Sequence, residues 1–289
     1  MKICFFGVKI STFLCLGIPA ILSDDCFGED KTNGSIYLQA EMNASTAKEQ
    51  IRKAFGKYSI ESPELFENNH QGFEHIQVKN DREVGPCFTF FIHRDLDGDQ
   101  NKKWPKGLER QRNEIKGYQG SPSPLKAIKH EEVFYSWYLK IDSTFALTHH
   151  FCHFFQLKPV GEENSPDPIV TLSGSIRSGE THLEVRCFGE TMQYLKIGNW
   201  EDCKGKWLKC ECVILYAKNG KLNFSIKSLD GSITSSHRVT DFPSWNSNFS
   251  FVRPKWGIYR SLRDKHKIKN EEDRIYMNNF LIRKLKKGK

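Results

Sequence analysis

The chain has 289 residues, 38% apolar, 12% aromatic and 27% charged, with a formal net charge of +8. That length suits one large domain or two small ones, and the apolar share excludes a disordered chain. The basic excess favours acidic partners such as polyuronates, sulfated glycans or anionic surfaces; only charge would point to nucleic acid, so no nucleic-acid partner is expected.

Lys2 and Lys9 are the only charges before Asp24, and ISTFLCLGIPAIL, Ile10 to Leu22, is apolar but short. Residues 1–23 therefore read as a secretory signal peptide, since a membrane span needs about 20 apolar residues. No second hydrophobic run follows, so a secreted, extracellular protein without a membrane span after signal removal is expected. Residues 24–59 are polar and read as an N-terminal arm. Within it Thr46 and Glu49 form a capping box, and Ala47, Ile51, Ala54 and Phe55 make one helical stripe.

From about Phe73 the pattern turns to strands. FEHIQVK, CFTFFIH, ERQRNEIKGY, EVFYSWYLKID, FCHFFQLKP and PIVTLSGSI come first. THLEVRCF, WLKCECVILYA, KLNFSIKSL, KWGIYRS and RIYMNNFLIRK follow, with Gly, Pro, Ser and Asn between the runs. AKNGKL predicts a hairpin, because Asn-Gly accepts positive φ at both turn positions. Eleven or so short strands without long helices predict an all-β fold, a two-sheet antiparallel β-sandwich over 60–285, ahead of a basic tail at 286–289.

Cys4 and Cys15 fall in the signal; Cys26, Cys87, Cys152, Cys187, Cys203, Cys210 and Cys212 remain. An oxidising compartment predicts disulfides, and an odd number leaves at least one thiol over. Cys203, Cys210 and Cys212 contain no C-x-x-C pair, so zinc is not expected, and the site residues include no metal ligand. Asp95, Asp97 and Asp99 in DLDGDQN evoke a calcium loop, but Gln100 and Lys106 stand where an EF-hand needs Gly and Glu, which favours an acidic turn and no cofactor. The sequons at Asn33, Asn43, Asn223 and Asn248 predict a glycoprotein.

Residues two apart on a strand share a face. Arg110, Arg112, Glu114 and Lys116 thus share one face, and Lys255, Gly257, Tyr259 and Ser261 share another. Gln156 and Lys158 share a third with Phe154 and Cys152, leaving His153, Phe155 and Leu157 opposite. If the three strands are neighbours, these faces combine into a cationic groove floor holding a tyrosine. Each motif alone fits a solvated strand face with cross-strand ion pairs; the conjunction carries the signal.

The succession RQRNEIK, QLK, KWGIY resembles the jelly-roll (concanavalin A-like) polysaccharide lyases, similar to alginate lyases, glucuronan lyases and heparin-lyase-like proteins. These carry R-x-E, Q-x-H and K-x-G-x-Y strands. GKWLKCECVILYAKNGKLNFSI and RIYMNNFLI extend the resemblance over roughly 73–285. It implies a jelly roll with a concave groove that cleaves an acidic polysaccharide, such as glucuronan, alginate or a glycosaminoglycan, by β-elimination. Arg112 and Gln156 would hold the substrate carboxylate, with Arg110, Lys116, Lys158, Lys255 and Glu114 around the sugar. Tyr259 would act as acid, or as base if surrounding cations lower its phenol.

One position departs from the family pattern: Lys158 stands where Q-x-H has histidine. His153 and His150 are the candidate bases, although His153 has the wrong parity unless a bulge intervenes. The alternative function is a non-catalytic glycan-binding protein on the same sandwich. Glycoside hydrolysis needs two carboxylates about 5–10 Å apart; Glu114 is the only acid on the three faces, and Glu184 is the other acid to consider.

Overall fold

The computed structural model describes residues 34–99, 109–161, 167–189 and 191–285. The signal segment, Cys26, Asn33 and the basic tail lie outside them. The described strands are β1 (Ser35–Leu38), β2 (Ile60–Glu61), β3 (Ile76–Asp81), β4 (Gly85–His93) and β5 (Arg110–Lys116). Next come β6 (Glu132–Ile141), β7 (Cys152–Gly161), β8 (Val170–Arg177), β9 (Glu180–Cys187) and β10 (Gln193–Asn199). The last are β11 (Trp207–Leu215), β12 (Gly220–Ser228), β13 (Thr234–Phe242), β14 (Phe249–Ser261) and β15 (Glu272–Lys284).

These strands make two antiparallel sheets. One runs β13-β12-β11-β6-β15-β4-β3, with β1 also paired to β15; the other runs β10-β9-β8-β7-β14-β5-β2. The expected sandwich is therefore the observed architecture. Its core lies between the sheets, where Trp256 and Phe155 of one meet Trp137, Tyr135 and Phe280 of the other. Such aromatic burial supplies much of the apolar area that drives folding. Arg260 also points inward, pairing with Asp273 and donating from Nε to Gln111 Oε1 at 2.8 Å.

Four strands escaped the sequence pattern: β1, β2, β10 and β13. The first two are very short, and β10 and β13 end the sheets, so they need little apolar alternation. The capping box is present, and helix α1 (Ala47–Phe55) buries Ile51 and Phe55. Since β1 pairs with β15 and Phe55 of α1 packs on Trp256 and Phe280, the stretch read as an arm joins the sandwich from residue 34 onward.

The β11–β12 hairpin forms as expected, but its reason differs. Neither Asn219 nor Gly220 has positive φ. Gly220 is required by crowding: a Cβ there would meet Ser244 Oγ at 2.1 Å and Leu215 O at 2.4 Å.

Among the described residues the disulfide expectation is corrected. Cys87, Cys152, Cys187, Cys203, Cys210 and Cys212 are buried free thiols. A large sandwich core has no need of crosslinks, and a buried thiol packs as a small apolar group. Burial pushes the Cys152, Cys187 and Cys203 thiols up to about 12, which keeps them protonated and inert. The sequon residues Asn43, Asn223 and Asn248 are exposed.

Candidate active site

β7, β14 and β5 are adjacent in the seven-stranded sheet, as the three-strand reading requires. Lys255 stands between Gln156 and Lys116, and Tyr259 stands between His153 and Arg112. Directly opposed residues of antiparallel strands share a face. These side chains therefore sit together on the face turned away from the other sheet.

His153 joins that face through a bulge. The β14–β7 register shifts between Trp256 and Tyr259, and the β7–β8 register shifts between His153 and Phe155. The shift turns Phe154 and Phe155 both toward the core, Phe154 stacking on Trp200 and Phe155 packing tilted against Trp137. Simple alternation placed Phe154 with Gln156 and His153 opposite; both placements are corrected. A β-bulge adds one residue to a strand and reverses its parity beyond that point.

Gly257 lies in this irregular stretch with φ of 137°, and a Cβ there would meet Asn113 O at 2.1 Å. Gly257→Ala is expected to destabilise the fold by about 2–4 kcal/mol, from backbone strain plus overpacking. Urea unfolding would measure it; unchanged stability would refute this account of the bulge.

Around Lys255 and Arg112 the cations are matched by acids. Lys255, 2% exposed, contacts Glu61 Oε2 and Glu114 Oε2, each at 2.6 Å. Arg112 donates from Nε and NH2 to Asp99 at 2.7 and 3.1 Å, and from NH1 to Glu61 at 3.2 Å and Glu114 at 2.9 Å. Four of its N–H donors are thereby engaged, leaving one of five. Lys116 meets Glu61 at 2.5 Å, and Gln156 Nε2 donates to Glu114 Oε1 at 2.5 Å. Arg112 and Gln156, expected to hold a substrate carboxylate, are thus both tied to Glu114. Sequence reasoning missed Glu61, which sits on a two-residue strand, and read Asp99 only as part of an acidic turn, not as a partner of Arg112.

Tyr259 lies under the Arg112 guanidinium, 4.0 Å from ring centroid to Cζ, and its hydroxyl accepts from Arg110 NH1 at 2.8 Å. Burial raises its phenol above the ordinary value, outweighing the lowering by Arg112 and Arg110. The cations thus fail to make a phenolate, and Tyr259 keeps its phenolic proton. His153 shows the reverse shift. Burial, then Arg186, Lys158, Arg112 and Lys255, hold its ring well below the ordinary value, so it is neutral. Its Nδ1 lies 2.8 Å from Ser173 Oγ, which in turn lies 2.8 Å from Thr171 Oγ1. Phe151 stacks on the ring, which is 6% exposed.

Lys158 is half-buried; burial and then Lys255 bring its ammonium down to about 8. His150 stands apart, its Nε2 3.8 Å from Asp264. Glu184 is bound by Arg177 and Arg186 at 2.9 and 2.7 Å. Asp95 pairs with Arg94 and Lys265, Asp97 with histidines and Asp99 with Arg112, so the three turn acids diverge.

The chain is similar in fold to an endo-β-1,4-glucuronan lyase from the fungus Trichoderma reesei, with a TM-score of 0.53 and 9% identity over 86% of this chain and 94% of that one. It is also similar to a marine alginate lyase from Aplysia kurodai, at 0.55 and 12% over 86% and 98%. A third likeness is to alginate lyase PA1167 from Pseudomonas aeruginosa, at 0.52 and 12% over 78% and 97%. The sandwich is thus the one used by jelly-roll polysaccharide lyases. No family model and no curated protein matches the sequence.

Proposed function

We propose that this protein is a secreted lyase that cleaves a uronate-containing polysaccharide by β-elimination. The observation that carries the reading is the pairing of neutral His153 with protonated Tyr259 across β7 and β14. The pair combines a base and an acid whose environments push their proton affinities apart, as elimination requires.

His153 takes the C5 proton. The electron pair of that C–H bond forms the C4=C5 double bond, the C4–O4 bond breaks, and Tyr259 gives its phenolic proton to O4. Arg110 donates to the Tyr259 oxygen and so leaves the phenolic hydrogen free for O4; it then steadies the phenolate. Arg112 stacks on the ring and holds its position. Gln156, anchored by Glu114, turns its remaining amide hydrogen toward the carboxylate, with Lys158 and Arg110 supplying positive potential. The glucuronan and alginate lyases of like fold support a polyuronate as substrate.

The test is ultraviolet absorbance of the unsaturated uronate product with glucuronan, alginate and glycosaminoglycan. A rise with one of them supports the lyase; saturable binding without product favours a glycan-binding protein. That second reading draws on the pairing of Arg112, Lys116 and Lys255 to internal acids, which satisfies cations that catalysis would otherwise direct at substrate.

The pH profile follows from the same groups. His153 stays neutral and Tyr259 protonated through the neutral range, so neither sets a limb there. Lys158 is charged below about 8 and loses its charge as pH rises through that value. Activity toward a polyanion is therefore expected to fall above pH about 8 through a rise in KM. A profile in Lys158→Met without that limb would confirm the assignment, and an unchanged limb would refute it.

A further inference from the structure

We propose that His70, His75, His93 and Asp97 form a structural site for one divalent transition-metal ion, zinc by preference, locking the turn that positions Arg112. Among the described residues these four offer ligand atoms all within 4.8 Å of one another. His70 Nδ1, His75 Nε2 and Asp97 Oδ1 form a triangle with sides of 3.2, 3.0 and 2.8 Å. His93 Nδ1 adds a fourth corner 3.3 Å from Asp97 Oδ2. Zinc bonds of about 2.0–2.1 Å at tetrahedral angles set ligand atoms about 3.3 Å apart, so this cluster nearly has the required spacing.

The ring orientations support ligation. His75 Nδ1 meets Glu64 Oε2 at 2.7 Å and His93 Nε2 meets Glu272 Oε2 at 3.3 Å, so each ring points its other nitrogen at the cluster. A carboxylate behind a histidine is the usual outer partner of a metal ligand, fixing tautomer and angle. Two ring nitrogens 3.2 Å apart beside a carboxylate also form a poor hydrogen-bond set, since Asp97 is an acceptor only. His75 and Asp97 are wholly buried, while His70 and His93 are partly exposed. Three imidazoles and one carboxylate suit zinc or cobalt better than calcium, and four protein ligands describe a closed, structural site.

The ion would act on the active face through the backbone. Asn69 Oδ1 accepts from the amides of His70 and Gly98, lacing the segment before β3 to the turn after β4. Gln111 Nε2 donates to the carbonyls of His93, Arg94 and Asp97. Two residues beyond Asp97, Asp99 grips Arg112. Fixing Asp97 therefore fixes the clamp on the guanidinium that covers Tyr259.

The competing state is a metal-free cluster in which His75 is an imidazolium between Glu64 and Asp97. Burial opposes that charge, but hydrogen bonds to Asp97 and Glu64 raise the ring to about 9. To distinguish the two, the chelator-treated protein is titrated with Co2+ and then Zn2+. We expect one equivalent of Co2+ to give the visible absorption of a tetrahedral site, displaced by one equivalent of Zn2+, with a rise in Tm. His93→Asn should abolish the absorption. Should that variant misfold, Glu272→Gln keeps all four ligands and should weaken affinity about 10–100-fold. No saturable binding by the folded protein, or binding unaltered in both variants, would overturn the proposal.

Discussion

Tyr259→Phe is expected to lower kcat by about 10²–10⁴-fold, the usual worth of a positioned proton donor, with little change in KM or fold. The ring is retained, so the stacking of Arg112 at 4.0 Å and the packing on Phe151 persist. Only the hydroxyl that Arg110 holds is lost. His153→Asn should give a loss of similar size by removing the base. The double variant should fall little further, because elimination needs both proton transfers. Initial rates of product absorbance measure all three. A Tyr259→Phe enzyme with full kcat would rule out the phenol as donor, and full additivity would rule out a concerted pair.

Glu61→Gln is expected to cost about 3–5 kcal/mol of stability, the penalty for breaking a buried ion pair from one side. Glu61 contacts Lys116, Lys255 and Arg112 at 2.5, 2.6 and 3.2 Å. Lys255 would retain Glu114, but three cations would share one carboxylate fewer. The pH dependence gives a second reading. Despite burial, Lys255, Arg112 and Lys116 hold the Glu61 carboxyl well below its ordinary value. Its contribution is therefore complete above the unfolded carboxylate value of about 4.3 and is lost as pH falls toward the folded one. Urea unfolding should show a shallower loss of stability in acid for Glu61→Gln than for wild type. Equal stability at neutral pH would show that the lysines find other partners.

Much of the architecture was legible in sequence. Alternation marked the interior strands because their two faces meet different surroundings. It missed β10 and β13, whose polar sequences complete the ends of the sheets. The capping box at Thr46 and Glu49 was readable because a cap is made within four residues. The disulfide expectation failed because it rested on an inferred compartment, whereas thiol pairing depends on which strands bring which sulfurs together.

The site divided along the same line. The faces bearing Arg112, Gln156, Lys255 and Tyr259 could be read locally, and β7, β14 and β5 are indeed neighbours. The face taken by His153, a candidate base in the sequence, could not, because a bulge reverses parity and its cause lies in the partner strands. The state of Tyr259 was also beyond local reading: cations nearby argue for a lowered phenol, and burial, with Asp99, reverses the sign. Glu61 is remote in the chain from Arg112 and Lys116, and the histidine cluster is drawn from the segment before β3, the end of β4 and the turn after it, so no single periodicity announces them.

By itself the sequence determined the sandwich, the helix cap and the residues each strand presents, because these follow from dihedral preference and periodicity along a few neighbours. The tertiary structure decided which strands adjoin, which face His153 takes, which acids neutralise which cations and where protons reside. Those outcomes depend on register, burial and distance between residues remote in sequence, which a linear pattern does not contain.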